Sequence, residues 1–178
     1  MKIALLRHAK VKYHEPFLST AESFFRDRAL YDFSPLVPPG IRVSWEEFPE
    51  CFVSTMHRAQ GTARMVYEGN PITWLELVEV ENTPLLLPRV AMPTVIRRII
   101  SRIAWFFNCR RMLETRRESM ARARLVVQYL LANNHADTLL VTHGFFMRCL
   151  QHELHKFGFR GNIGLYPHHA ELYVFEME

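Results

Sequence analysis

Glycine and cysteine are scarce in this sequence, and their scarcity excludes several kinds of site. The 178 residues include only seven glycines, and none forms the GxGxxG or GxxxxGK[ST] pattern, so neither a Rossmann dinucleotide site nor a P-loop is predicted. The three cysteines are odd in number and far apart, which argues against a disulfide framework and a CxxC zinc site. We expect reduced thiols, and any bound phosphate has to be held by side chains.

Long apolar runs are also missing. Arginines interrupt the apolar runs before they approach the ~18–20 residues that a membrane span needs, and the start MKIALLRHAK lacks the apolar core of a signal peptide. We therefore expect a soluble, cytoplasmic protein. The length fits a single domain over 1–178, and a hydrophobic content of 49% is enough for a core.

Positive charge is concentrated in one part of the chain. Lys and Arg number 22 against 18 Asp and Glu, a net charge of +4, but the stretch 89–124 has ten arginines and two acids and so carries +8 alone. Such a local imbalance indicates a positive surface feature rather than a nucleic-acid-binding protein. No nucleic-acid partner is expected.

Short apolar runs alternate with helical patterns along the chain. Strands are predicted at Ile3–Leu6, Cys51–Val53, Thr138–Thr142 and Glu171–Phe175, with an extended segment at Trp74–Val80. Helices are predicted at Gln60–Tyr67, from a Thr115–Glu118 capping box to about Asn133, and at Phe145–Phe157 before Gly158. This alternation predicts an α/β domain with a mostly parallel sheet, in which functional groups gather at the carboxyl ends of the strands.

Two regions interrupt the alternation. The proline-rich segment Phe33–Pro39 is predicted to be a loop. Residues 85–113 are predicted to form a basic helical insertion, a cap. Its apolar residues recur at helical spacing with three arginines opposite: Ile96, Ile99, Ile100, Ile103, Phe106 and Phe107 against Arg97, Arg98 and Arg102.

The insertion has three interpretations. As a cap, its apolar face packs on the domain and its arginines shape an anionic substrate entrance. As an interfacial helix it contacts acidic lipid, and as a basic patch it binds nucleic-acid backbones. We favour the cap over membrane contact, because so short a helix needs a protein surface to bury its isoleucines.

Polar motifs follow three of the predicted strands. Arg7-His8-Ala9 follows the first strand, Thr142-His143-Gly144 follows the third, and Ser54, Arg58, Ala59, Thr62 and Ala63 follow the second. Each motif alone is consistent with packing. Their occurrence together, each at a strand end, indicates chemistry.

The chemistry that these residues suit is phosphoryl transfer to histidine. A neutral imidazole is a competent nucleophile, and the transferring phosphoryl group needs fixed cations around its oxygens. Arg7, Arg58 and His143 supply that environment without a metal. A carboxyl group must also protonate the leaving oxygen. The candidates are Glu76, Glu79 and Glu81, of which the last two share one face of an extended segment.

The three motifs resemble those of the histidine phosphatase superfamily, the phosphoglycerate mutase-like group. Leu6-Arg7-His8-Ala9 is similar to its RHG or RHA motif, although Ala9 replaces the commoner glycine. The second motif, SxxxRAxxTA, is matched from Ser54 to Ala63, and Thr142-His143-Gly144 matches the third. The resemblance implies a three-layer α/β/α sandwich, which agrees with the predicted alternation.

The resemblance also implies roles for single residues. His8 becomes the phosphorylated nucleophile, Glu79 the proton donor, and Arg7, Arg58 and His143 the phosphate pocket. The implied activity is that of a histidine acid-type phosphatase, independent of metals and cofactors, acting on a phosphorylated small molecule or a phosphoprotein. Because the mutases of the family usually have longer chains, hydrolysis is favoured over phosphoglycerate-mutase-type transfer.

One alternative from a different class stays open, a non-catalytic phosphate-binding or membrane-associated module. The presence of His8, Arg58 and His143 together favours the enzyme. Among the remaining residues, His152 and His155 are predicted to lie on a solvated helix face rather than at a metal, and Cys149 to pack against the sheet. The pair His168-His169 is predicted to lie in a loop, which could edge the substrate pocket.

Overall fold

A computed structural model of the chain describes residues 1–83, 89–133 and 136–177. The strands are β1 Lys2–Arg7, β2 Leu18–Ser19, β3 Glu50–Ser54, β4 Ile72–Trp74, β5 Met92–Pro93, β6 Thr138–Thr142, β7 Phe159–Arg160 and β8 Leu172–Met177. The helices are α1 Ala21–Phe33, α2 His57–Val66, α3 Thr94–Phe106, α4 Arg116–Ala132 and α5 Gly144–Lys156, with a 3₁₀ turn at Leu75–Leu77.

Six of the strands form one mixed sheet in the order β4-β3-β6-β1-β8-β7. The first four are parallel to one another, whereas β8 and β7 pair antiparallel at the other edge. The prediction of a mostly parallel sheet is confirmed. In the register of β1 and β6, Arg7 lies opposite Thr142, so the two histidine motifs leave the sheet side by side.

The sheet separates two apolar cores. Ile3 and Leu5 belong to one core, together with residues of α4 and α5. Their neighbours Ala4 and Leu6 belong to the other, together with residues of α2. Because successive side chains of a strand point to opposite faces, β1 is covered by helices on both sides. The expected three-layer sandwich is confirmed.

The predicted helix ends agree well with the structure. Thr115 caps α4, and its hydroxyl and the Glu118 carboxylate form the reciprocal bonds of a capping box. Helix α5 ends at Phe157, and Gly158 adopts a φ of 91° that favours glycine. Helix α2 begins at His57, before the predicted Gln60.

Helix α1 is absent from the sequence-based prediction. Its buried residues are only Ala21, Phe24 and Asp27, so its apolar residues form no continuous stripe that periodicity could detect. Its capping box uses Thr20 with Ser23 in place of the usual Glu or Gln.

The prediction of one extended segment over Trp74–Val80 is wrong. Strand β4 ends at Trp74, and a 3₁₀ turn follows. Side chains, and not a neighbouring strand, donate hydrogen bonds to the backbone carbonyls of this segment. The Thr142 hydroxyl donates to the Leu77 carbonyl at 2.6 Å, and Arg122 donates to the carbonyls of Glu76 and Val78 at 2.6 and 2.9 Å.

The insertion contains a helix, α3, but its predicted orientation is wrong. Its first residues, 85–88, lie outside the described part of the chain. Arg97 is buried and donates to the carbonyls of Ser19 and Val90 at 3.0 and 2.6 Å, whereas Ile99 and Ile103 are exposed. The domain side offers backbone carbonyls that an aliphatic side chain cannot satisfy, so the polar face turns inward.

Candidate active site

The carboxyl ends of β1, β3 and β6 open into a cavity of about 670 Å³. Arg7, His8, Arg58 and Glu79, four residues singled out in the sequence, all line it. His143 lies directly behind His8, with 5.2 Å between the ring centroids. The structure thus brings all five predicted site residues together.

The imidazole of His8 is fixed in one tautomer. Its Nδ1 lies 2.8 Å from the carbonyl oxygen of Ala9, which can only accept, so Nδ1 carries the proton and Nε2 keeps its lone pair. Burial, reinforced by the charge of Arg58, holds the pKa of His8 well below its ordinary value. The ring is therefore neutral at pH 7 and has the electronic state of a nucleophile.

His143 is fully buried and is bonded at one nitrogen. Its Nε2 lies 2.8 Å from the Ser54 hydroxyl, whereas its Nδ1 has no hydrogen-bond partner among residues 1–83, 89–133 and 136–177. Burial first, and then the charge of Arg58, lower the pKa of His143 well below its ordinary value. A neutral ring with an unpartnered nitrogen is suited to meet a ligand.

The spacing of the second motif follows from how α2 packs. Ala59 and Ala63 are completely buried, which lets the helix approach the sheet closely. On the same helix the Thr62 hydroxyl donates to the Arg58 carbonyl at 2.7 Å and accepts from the Ala9 N–H at 2.8 Å. The two alanines therefore pack α2 against the sheet, and Thr62 joins the helix to the loop that carries His8.

The two predicted phosphate-binding arginines are held in place but incompletely bonded. Arg7 donates to the Pro167 carbonyl at 2.8 Å, and Arg58 forms a 2.6 Å ion pair with Asp32. Within the described ranges, the buried Nε atoms of Arg7 and Arg58 have no partner. Unbonded buried donors are costly unless a ligand completes them. They point to an anion site.

Gly144 is needed where Arg7 passes the start of α5. A Cβ atom on Gly144 would lie 3.0 Å from Nε of Arg7 and 3.2 Å from its Cζ. The glycine of the third motif therefore makes room for the guanidinium of the first.

The structure separates the three acid candidates. Glu79 lines the cavity, and its carboxylate accepts from the N–H groups of Phe146 and Phe145 at 2.9 and 3.3 Å. Glu81 instead pairs with Arg28 at 3.5 Å and does not line the cavity, and neither does Glu76. Spacing alone left Glu79 and Glu81 as candidates, and their contacts separate them, since Glu79 bonds to the start of α5 and Glu81 to Arg28 of α1.

The site contains a third histidine to which sequence analysis gave no definite role. The pair His168-His169 lies in a loop, as predicted, and the ring centroid of His169 is 5.1 Å from that of His8. Its Nδ1 donates to the His8 carbonyl at 2.8 Å. The sequence feature that could identify His169 as a site residue is its position just before β8, because β8 pairs antiparallel with β1 and therefore starts where β1 ends.

The basic insertion contributes less positive charge to the entrance than expected. Arg97 is absent from the cavity lining. Arg98 and Arg102 reach the cavity, but Arg98 pairs with Glu15, and Arg102 donates to the Val80 carbonyl at 2.8 Å. The predicted cluster of three arginines at the entrance is therefore wrong.

Two predictions about side chains of α5 agree with the structure. His152 and His155 are exposed on α5, and Cys149 is buried in the core between α5 and the sheet. In the part of the chain that the structure describes, no three His, Cys, Asp or Glu side chains are grouped so that they could hold a metal ion. In the same part, no helix is long and apolar enough to cross a membrane.

The chain matches a protein-family profile. The sequence profile of the histidine phosphatase superfamily (branch 1) matches residues 40–178. That range contains Arg58, Glu79 and His143 but not Arg7 and His8, which the structure adds to the same site. A comparison with curated protein sequences gave no significant match.

Solved structures resemble the chain over nearly its whole length. A candidate alpha-ribazole-5′-P phosphatase from Escherichia coli has 17% identity and a TM-score of 0.59, with coverage of 100% of this chain and 91% of that one. A mycobacterial protein called hydrolase 1 has 17% identity and a TM-score of 0.58, covering 97% and 87%. A mycobacterial glucosyl-3-phosphoglycerate phosphatase has 18% identity and a TM-score of 0.51, covering 87% and 79%. At these identities the similarity establishes the fold.

Proposed function

The chain belongs to the histidine phosphatase superfamily, branch 1, and on this premise we propose that it is a phosphatase that hydrolyses phosphomonoesters through a phosphohistidine on His8. The observation that carries the proposal is the state of His8. Its Nδ1 carries the proton, so its Nε2 keeps a lone pair, and it lines the same cavity as Arg7 and Arg58, whose buried Nε donors have no partner among the described residues. A nucleophile and a cationic phosphate pocket share one cavity.

In the first step, Nε2 of His8 attacks phosphorus and the bond from phosphorus to the ester oxygen breaks. Arg7 and Arg58 hold the phosphoryl oxygens as the negative charge shifts toward the leaving group. His143, whose ring centroid lies 5.2 Å from that of His8, is a further contact for one of these oxygens through Nδ1, which has no partner in the described part of the chain. Glu79 must be in its protonated form at this step; its carboxyl group transfers that proton to the departing alkoxide, which leaves as an alcohol.

In the second step, water attacks the phosphohistidine and the N–P bond breaks. The Glu79 carboxylate takes a proton from the attacking water, and His8 returns to its neutral form as inorganic phosphate is released. The Ala9 carbonyl keeps Nδ1 protonated throughout, so that Nε2 is the atom that is phosphorylated. No step in this scheme uses a metal ion.

A direct test is release of inorganic phosphate from p-nitrophenyl phosphate and from a panel of phosphorylated metabolites and phosphopeptides. We expect the wild-type protein to hydrolyse members of this panel and His8→Ala to be inactive. His152→Ala is the matched control, because this histidine is exposed on α5 and absent from the cavity lining. Hydrolysis by His8→Ala at the wild-type rate would refute the proposal.

A further inference from the structure

One wall of the active-site cavity is an exposed apolar face of α3. Val95, Ile99, Ile103 and Phe106 line the cavity and are 60%, 53%, 53% and 52% exposed. A row of four large apolar side chains in water is unfavourable, and patches of this kind usually mark a binding surface.

The orientation of α3 is fixed by polar bonds on its opposite face. In addition to the bonds of Arg97, Ser101 is buried and its hydroxyl accepts from the Thr83 N–H at 2.7 Å. At the end of the helix, Trp105 donates to the Ser119 hydroxyl at 3.0 Å. Rotating α3 to bury the isoleucines would break these buried bonds, so the apolar face stays toward the cavity.

The apolar wall is continuous with the phosphate pocket. The same cavity is lined by Arg7, His8 and Arg58 and by the exposed apolar side chains of α3. Leu165 and Tyr166, which precede β8, also line it and are 75% and 80% exposed. The ester group of a substrate whose phosphoryl group is bound at His8 therefore lies in a cavity that has this apolar wall beside its charged and polar side chains.

The two arginines of α3 that reach the cavity do not change this conclusion. Arg98 is paired with Glu15, and the guanidinium of Arg102 lies over the ring of Phe145, 3.6 Å from its centroid. Arg98 thus has an acidic partner, and Arg102 is held by the Phe145 ring and the Val80 carbonyl, so both guanidinium groups are already bonded within the protein. Sugar hydroxyls placed against Ile99 and Ile103 would lose water without gaining hydrogen bonds.

We propose, on the basis of the phosphatase function proposed above, that the substrates are phosphomonoesters of aliphatic alcohols, whose hydrocarbon chain lies along the exposed face of α3. The phosphate binds at Arg7 and Arg58, and the chain displaces water from Ile99, Ile103 and Phe106. Selection is then made by the length of the hydrocarbon chain.

The test compares kcat/KM for ethyl, butyl, hexyl and octyl phosphate, each below its micelle concentration. Fully burying one methylene is worth ~0.8 kcal/mol, and half burial about half of that, so we expect kcat/KM to rise about two- to fourfold per methylene. The double variant Ile99→Ser/Ile103→Ser should lower the ratio of octyl to ethyl phosphate by at least about tenfold. Ile96→Ser is the control, because Ile96 is exposed on the same helix but does not line the cavity.

A binding measurement separates this inference from the phosphatase function. Calorimetry of His8→Ala with ethyl to octyl phosphonates reports on chain binding without turnover. Affinity that rises with phosphonate chain length supports the apolar wall, even if the wild-type protein hydrolyses no ester. If the wild-type protein hydrolyses p-nitrophenyl phosphate but His8→Ala binds all the phosphonates with equal affinity, the apolar wall is refuted and the phosphatase function stands. Binding to phosphatidylglycerol vesicles that is lost in Ile99→Ser/Ile103→Ser, without a chain-length effect in solution, would overturn it in favour of a membrane contact.

Discussion

The Thr62 hydroxyl accepts a 2.8 Å hydrogen bond from the backbone N–H of Ala9, 53 positions earlier in the chain. This bond ties helix α2 to the residue whose carbonyl orients the His8 ring. The second motif therefore supplies more than Arg58. It also holds the loop that contains His8.

Thr62→Val should lower both stability and turnover. Valine keeps the volume but leaves the buried Ala9 N–H without an acceptor, so we expect the free energy of unfolding to fall by about 1–3 kcal/mol. We also expect kcat to fall, because the loop that sets the His8 tautomer loses its anchor. Urea unfolding and p-nitrophenyl phosphate kinetics measure the two effects. Thr62→Ser, which keeps the hydroxyl, should restore most of both, and a serine variant as impaired as valine would contradict this role.

Glu79→Gln should slow substrates according to their leaving groups. An alkoxide must be protonated as it departs, whereas nitrophenolate is stable without a proton. We expect kcat for an alkyl phosphate to fall on the order of 10²-fold or more, and kcat for p-nitrophenyl phosphate to change much less. Glu81→Gln is the control, since Glu81 pairs with Arg28 away from the cavity lining. Equal slowing of both substrates by Glu79→Gln, or leaving-group dependence in Glu81→Gln, would remove Glu79 from the mechanism.

Stability should fall below pH 6.5 because of the buried histidines. The folded pKa of His143 is well below its ordinary value of 6.5, so in this range the unfolded chain binds a proton that the folded chain does not. Stability is therefore lost as pH falls from 6.5 toward the folded pKa, by up to ~1.4 kcal/mol per pH unit for each such histidine.

Urea unfolding at pH 7.5 and pH 5.5 checks this effect. His143→Asn should reduce the difference in unfolding free energy between the two pH values, while His152→Asn, at an exposed position, should leave it unchanged. If His143→Asn shows the same difference in unfolding free energy between pH 7.5 and pH 5.5 as the wild type, the His143 ring is not the source of the pH dependence.

The site motifs could be predicted from sequence because of where strands end. Arg7-His8 and Thr142-His143 each follow a continuous apolar run, and parallel neighbours bring such ends to one edge of the sheet. The orientation of α3 could not be predicted in this way. Periodicity shows that Ile99 and Ile103 share a face, but which face meets the domain depends on carbonyls such as that of Ser19, 78 positions away from Arg97.

The position of His169 in the site cannot be predicted from sequence for a similar reason. Its place beside His8 follows only from the pairing of β8 with β1, which is a long-range contact. Local sequence shows a histidine pair in a loop and nothing about its neighbours. Helix α1 lacks an apolar stripe, so no periodic signal reveals it.

Chelation should leave activity intact. In the proposed mechanism Arg7 and Arg58 supply the positive charge that a divalent ion supplies to the phosphoryl oxygens in other phosphoryl-transfer enzymes. We expect the rate on p-nitrophenyl phosphate to be the same before and after dialysis against EDTA. An inactive dialysed protein that recovers only with Mg²⁺, Mn²⁺ or Zn²⁺ would contradict this part of the mechanism.

Covalent phosphorylation of His8 tests the central claim most directly. The protein is mixed with p-nitrophenyl phosphate, quenched with alkali within the first turnover, digested and analysed by mass spectrometry. We predict one phosphoryl group on His8 that is stable in alkali and lost in acid, as for a phosphoramidate, and none in His8→Ala. The exposed control His152→Ala should be labelled like the wild type. Turnover by the wild-type protein with no phosphoryl group on His8, or with the label on another residue, would contradict the account.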